Sequence, residues 1–161
     1  MASDGSSKGF EFSKENTPTC GKDPATLQRE GWITADGALA PKHDAAQVQW
    51  GGEWRMPTKQ ELDDLSKKCD WTWTKKNGES GYVVRGRGDY ASASIFLPAV
   101  GAGIGSALAN CSHGGLYWSS VSDSDSDYAR RLFFLSGYHY TSNFSCRYGG
   151  LSIRPVQGFT K

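Results

Sequence analysis

The sequence predicts an α+β domain, and three observations carry that prediction. Two segments ahead of residue 70 hold capped helix signals. After them the hydrophobic period changes to short strand-like runs broken by Gly, Asn and Ser. Helices first and strands afterwards is the order of an α+β arrangement rather than of alternating βαβ units.

Taken in order, the chain opens with "MASDGSSKGFEFSKENTPTCGKDP", polar and rich in Ser, Gly and Lys. Residues 1–23 therefore read as a flexible lead, with "FEF" at Phe10 to Phe12 as an edge strand. "HDAAQVQWGG" offers Asp44 as an N-cap, an apolar-spaced run through Ala45, Val48 and Trp50, and Gly51 as the stop, which predicts a short helix. "RMPTKQELDDLSKKC" is a stronger signal. Thr58 with Glu61 three residues later forms a capping box, and Leu62, Leu65 and Cys69 share one face of a helix over about Lys59 to Lys68. Strands are then expected at "WTW", "GYVVR", "SIFLP", "LYWSS", "ARRLFFLS", "YHYT" and "LSIRPV". With 161 residues the chain is long enough to bury a core without staples, so residues 24–161 are expected to form a single domain.

Several function classes are disfavoured by composition. A formal net charge of +1 with no dense Lys/Arg patch provides no attraction to phosphate backbones, so nucleic acid is not an expected partner. "MASDGSSK" lacks the apolar region of a signal peptide, and no stretch approaches the roughly 20 apolar residues of a membrane span, so no membrane insertion is expected. Cys20, Cys69, Cys111 and Cys146 are too far apart for a zinc-type pair, and His43, His113 and His139 share no ligand spacing. "DSDSD" at Asp123 to Asp127 resembles the opening of a calcium loop, but Tyr128 and Phe134 stand where that loop needs its Gly and its final carboxylate. "GAGIGS" has Ser106 in place of the third Gly of a dinucleotide fingerprint. "RGD" at Arg87 to Asp89 is too short to carry weight, and the sequons at Asn110 and Asn143 matter only in a eukaryotic secretory pathway. No cofactor and no metal is expected.

One compositional feature is unusual. From Ser80 to Val156 there is no Lys, Glu, Gln or Met, although residues of these types crowd the chain before Ser80.

"WGGEWRMPTKQELDDL" resembles the signature of the Fibrobacter succinogenes major paralogous domain family, itself similar to a segment of formylglycine-generating-enzyme-like proteins. The likeness continues through "CDWTWTKKNGESGYVVRGRGDYASASIFLPA", "GLYWSS" and "RYGGLSIRPV", and so covers roughly Asp44 to Val156. It implies a C-type lectin fold: two helices packed on short, mostly antiparallel sheets with long loops. Domains of this kind serve as variable proteins of diversity-generating retroelements, in which template adenines are randomised. Randomising the adenines of an Asn codon writes fifteen residue types but never Lys, Glu, Gln, Met or Trp. The resemblance therefore implies that residues 99–156 are a variable region and that the missing residue types are the unwritable ones.

Where relatives look variable, this chain has Ala102, Ile104, Ala109, Cys111, His113 and Leu116, then Arg130, Arg131, Phe133, Leu135, His139, Ser142, Phe144, Gly149 and Leu151. The later residues alternate with scaffold-like Leu132, Phe134, Tyr148 and Ser152, as a strand with one buried face requires. Ala102, Ile104, Ala109, His113, Leu116 and these later positions are the expected binding face. Its physics would be that of an antibody paratope, with rigid aromatics and adaptable small polar residues. Trp50, Trp54, Trp71, Trp73 and Trp118 are expected in the scaffold, with Arg55 and Arg154 as hydrogen-bond hubs. The implied function is non-enzymatic binding of a protein or glycan on a cell or phage surface, by a module displayed on a surface or virion within a larger protein or assembly. The rivals are an adhesin without diversification and an oxidase using Cys111 and Cys146.

Overall fold

The computed structural model describes residues 11–109 and 112–158. Phe10, Asn110 and Cys111, each singled out above, lie outside these residues. Three α-helices precede most of the strands: α1 (Pro24–Arg29), α2 (Ala45–Trp50) and α3 (Lys59–Lys68). The strands are β1 (Trp54–Arg55), β2 (Asp70–Lys76), β3 (Glu79–Arg85), β4 (Ser94–Pro98), β5 (Ala102–Ile104), β6 (Ala107–Ala109), β7 (Gly114–Ser122), β8 (Tyr128–Leu135), β9 (Tyr138–Tyr140), β10 (Phe144–Cys146) and β11 (Val156–Gln157). All their pairings are antiparallel. The molecule is thus α+β, with few helices and mostly antiparallel sheets.

The two expected helices form where their caps place them. Asp44 Oδ1 accepts from the amides of Ala46 and Gln47, which opens α2, and Gly51 at positive φ closes it. Thr58 and Glu61 make the full capping box of α3. α1 was not among the expected helices, although its signal is present: Asp23 accepts from the Thr26 amide and Pro24 occupies the first turn.

α3 packs against β7, β8 and β9, and its Leu62 enters the core with Tyr82, Val84, Leu97, Ala99, Tyr117, Leu132 and Phe134. Leu65, Cys69, Trp71, Trp73 and Ile95 close that core from the side. Phe134 is 0 % exposed and lies edge-on to Trp71, Trp73 and Tyr82, with Tyr117 stacked at 5.9 Å between ring centroids. Gly115 makes room for its ring, since a Cβ there would come within 2.1 Å of Phe134.

Three expectations about the scaffold are corrected. Trp50 is 55 % exposed, because α2 is only six residues long and buries Ala46 rather than its apolar end; its ring meets Trp54 edge-on at 5.3 Å. Arg154 is exposed, and the hub of the C-terminal half is Arg147, which donates to the carbonyls of Thr19, Lys22 and Tyr128. Those bonds also overturn the flexible lead from residue 11 onward. The segment is held by Arg147, by the Lys14–Asp127 ion pair and by a Phe12–Gly105 bridge. The Phe12 ring lies so close to Gly103 and Gly150 that a Cβ at either would approach it to 2.4 Å. The lead is polar in composition, yet its backbone has carbonyls and one aromatic side chain to offer, and the C-terminal half takes both.

Arg55 is the hub expected of it. Its guanidinium grips both Glu61 carboxylate oxygens at 2.6–2.7 Å, while Nε donates to the Gly158 carbonyl. This fork, with the Thr58 amide behind it, holds the Glu61 carboxyl below its ordinary value near 4.5 against the opposing effect of burial. A depressed carboxylate adds stability above its unfolded pKa and loses it as pH falls through the folded one. The melting temperature should therefore drop more steeply for the wild type than for Glu61→Gln between about pH 5 and pH 3. Parallel acid limbs in a thermal denaturation series would show that the fork carries no such linkage.

Candidate functional site

The outer side of the C-terminal sheet is built from β7, β8 and two short strands on the far edge of β8. β9 pairs with Phe133–Leu135 and β10 with Tyr128–Arg130. A two-residue turn, Ser136–Gly137 with Gly137 at φ +102°, sets the β8–β9 register. It matches Phe133 with Tyr140, Phe134 with His139 and Leu135 with Tyr138. Since paired residues share a face, Phe134 takes His139 inward and Phe133 takes Tyr140 outward.

The alternation expected of β8 is present: Leu132 and Phe134 are buried, and Arg131, Phe133 and Leu135 are half-buried. Outside, Phe133 packs against Tyr140 at 5.2 Å and Tyr138 at 6.0 Å, and these two tyrosines stack on each other. The Arg131 guanidinium lies over the Phe133 ring at 4.8 Å, and its Nε donates to the Phe144 carbonyl.

Beside this ridge lies a depression of about 280 Å³, which gathers Ala102, Ile104, Leu116, Phe144, Gly149 and Leu151 from four separate stretches of chain. Tyr128, Cys146 and Tyr148 complete its walls. Ile104 is 57 % exposed and Phe144 45 % exposed, with Phe144 packed on Tyr128 at 4.6 Å. The β5–β6 hairpin that carries Ile104 is held in place by the Gly103–Gly150 bridge and the Phe12 ring beneath it.

Not every expected residue stands on this surface. Ala102 and Leu116 are buried and supply floor rather than contact area, because Leu116 lies opposite Phe133 and Ala102 opposite Ala109. His139 faces the other way. It stacks on Trp71 at 4.1 Å and shares a 3.0 Å hydrogen bond with Ser66 of α3, and burial lowers its pKa. Arg130 is committed to Asp123, 2.6 Å from Oδ2, and to the Ser142 carbonyl. Gly149 is half-buried, and a Cβ there would come within 2.9 Å of Leu151. Ala109 and Leu135 are half-buried, while His113 and Ser142 are exposed outside the depression.

Tyr128, Tyr138 and Tyr140 were absent from the expected set. The hairpin register is the signal that finds the last two. Once Phe134 is assigned inward, a two-residue Ser-Gly turn forces His139 inward and its neighbours outward.

Elsewhere, a recess of about 250 Å³ is lined by Leu27, Trp32, Ile33, Met56, Trp118 and Ile153 among others. Three of its polar neighbours are already engaged: Arg147 with the carbonyls of Thr19 and Lys22, Ser119 with the Arg130 carbonyl, and the His43 ring stacked on Trp32 at 4.1 Å. Trp118 therefore belongs to this second packing layer, on the side of β7 away from Tyr117. Asp123 and Asp125 accept from the amides of Asp125 and Asp127, Asp127 accepts from the distant Gly21 amide and pairs with Lys14, and among the described residues no group of three His, Cys, Asp or Glu is placed to hold a metal ion.

Together the fold and the depression define an α+β domain with an aromatic and apolar surface on its C-terminal sheet. Neither family models, nor curated proteins, nor solved structures yield a match to this chain. Among the described residues, no helix is long and apolar enough to cross a membrane.

Proposed function

We propose that this chain is a ligand-binding module of C-type lectin fold whose residues 99–156 display a diversified surface, as in the variable proteins of diversity-generating retroelements. One observation carries the proposal. Ile104 and Phe144, two large apolar side chains left exposed, are brought to one depression from separate stretches of chain, and both lie in the stretch that lacks Lys, Glu, Gln and Met. Exposed apolar and aromatic side chains gathered on one surface mark an interaction site. The residue types found there are those that adenine randomisation can write. The lectin fold is supported by helices leading into short antiparallel strands and by β1 pairing with β11, which joins the segment ahead of α3 to the strand at Val156–Gln157. The role is binding rather than catalysis, toward a protein or glycan on a cell or phage surface, with the module displayed as part of a larger protein or assembly.

DNA flanking the gene tests the proposal. Sequencing should reveal a near-copy of the segment encoding residues 99–156, with adenines wherever the two copies differ, beside a reverse transcriptase gene. A flanking region with no such copy would return the chain to the class of undiversified adhesin or structural domains.

A further inference from the structure

Among the described residues of the candidate surface, the Arg131 guanidinium has a buried donor without a partner. Its neighbours are the Phe133 ring, the Phe144 carbonyl and the Tyr140 side chain, and no ion pair to it is formed among the described residues. Nη1 is shielded from solvent and has no hydrogen-bond partner among the described groups, and burial lowers the arginine's pKa. Arg130 next to it differs, since Asp123 neutralises it. A guanidinium that has lost part of its hydration without gaining a counter-ion is a site where an arriving carboxylate gains more than it would in water.

The depression lies directly alongside. The carbonyl of Phe144 accepts from Arg131 while the Phe144 ring walls the depression, so cation and apolar floor are joined through one residue. Resting on the proposed binding role of this face, we infer that it recognises a protein surface presenting an apolar side chain next to an Asp or Glu. The apolar side chain enters over Leu116 and Leu151, and the carboxylate pairs with Arg131. Arg131 is then the specificity-determining residue. A buried apolar anchor flanked by a charge pair shielded from water is the arrangement that concentrates binding energy at protein interfaces. A polyanion such as nucleic acid would need further unpaired cations here, and a glycan could use the Tyr128, Ser145 and Tyr148 hydroxyls of the walls but would leave the apolar floor and the Arg131 charge unmatched.

The experiment uses a displayed library of random twelve-residue peptides panned on the purified chain. Peptides carrying Asp or Glu beside Leu, Ile, Met or Phe should be enriched. Replacing that acid by its amide in a selected synthetic peptide should weaken binding at least tenfold to the wild type and less than twofold to Arg131→Gln. Arg131→Lys should restore part of the preference, since it returns the charge without the planar fork. Melting curves check that both variants fold. Selected peptides without acidic enrichment, or the same amide effect on wild type and Arg131→Gln, would overturn the inference. The double variant Ile104→Ser/Phe144→Ser separates the two levels. If it binds the selected peptides as well as wild type does, the face itself is not the binding surface. If it loses them while the charge preference survives in Arg131→Gln, only the role of Arg131 falls.

Discussion

Replacing Phe134 by Ala should destabilise the domain by about 4 kcal/mol, at the upper end of what a single core truncation costs. Its ring is fully buried and touches four other aromatic rings contributed by β2, β3 and β7. The cavity left behind cannot be filled by collapse, because Gly115 opposite carries no side chain to move in. Truncation therefore loses the transfer energy of the ring and most of its packing contacts. The neighbouring Phe133→Ala should cost far less, roughly 1 kcal/mol, since that ring is half-buried among surface tyrosines and the Arg131 guanidinium. Urea denaturation of the two variants measures the difference. Near-equal losses would mean that β8 does not separate a scaffold face from a display face, and the proposal of a surface free to vary would lose its mechanical basis.

How far the sequence announced this arrangement depends on whether a feature was local. The two capped helices were legible because a cap is decided within four residues: Asp44 before Ala46 and Gln47, and Thr58 before Glu61, read the same in sequence and in space. The alternation of β8 was legible for the same reason, a period of two within one strand. What failed was non-local. The lead looks mobile by composition, but Arg147, far along the chain, reaches its carbonyls. Leu116 looks like a surface departure, but Phe133 lies across from it in the next strand. His139 looked like a display residue because it stands among aromatics and serines, yet cross-strand register with Phe134 turns it toward α3. Each miss is a residue whose environment is set by a partner strand or a distant segment, and single-sequence patterns do not fix such pairings.

Asp44→Ala is expected to cost roughly 3 kcal/mol, although it changes a single carboxylate in a six-residue helix. Asp44 is only 4 % exposed and accepts three backbone N–H bonds. Oδ1 takes the amides of Ala46 and Gln47, and Oδ2 takes the amide of Met56 at 2.8 Å. Loss of the cap accounts for about 1–2 kcal/mol. Stranding the buried Met56 amide adds about 1–3 kcal/mol, because a donor cut off from water without a partner costs its full desolvation. Asp44→Ser divides the two effects, since a shorter side chain can still cap α2 but cannot span to Met56. It should recover part, though not all, of the stability seen in chemical denaturation. The stake goes beyond one helix. Met56 follows β1, which pairs with β11 and closes the domain, so Asp44 couples the first half of the chain to the strand that receives its end. It also lies outside residues 99–156. If stability rests on contacts like this one and on the inward residues of β7 and β8, the outward positions Ile104, Phe133 and Phe144 are free to change without unfolding the module that presents them. A negligible loss in Asp44→Ala, with α2 intact by circular dichroism, would place that stability elsewhere.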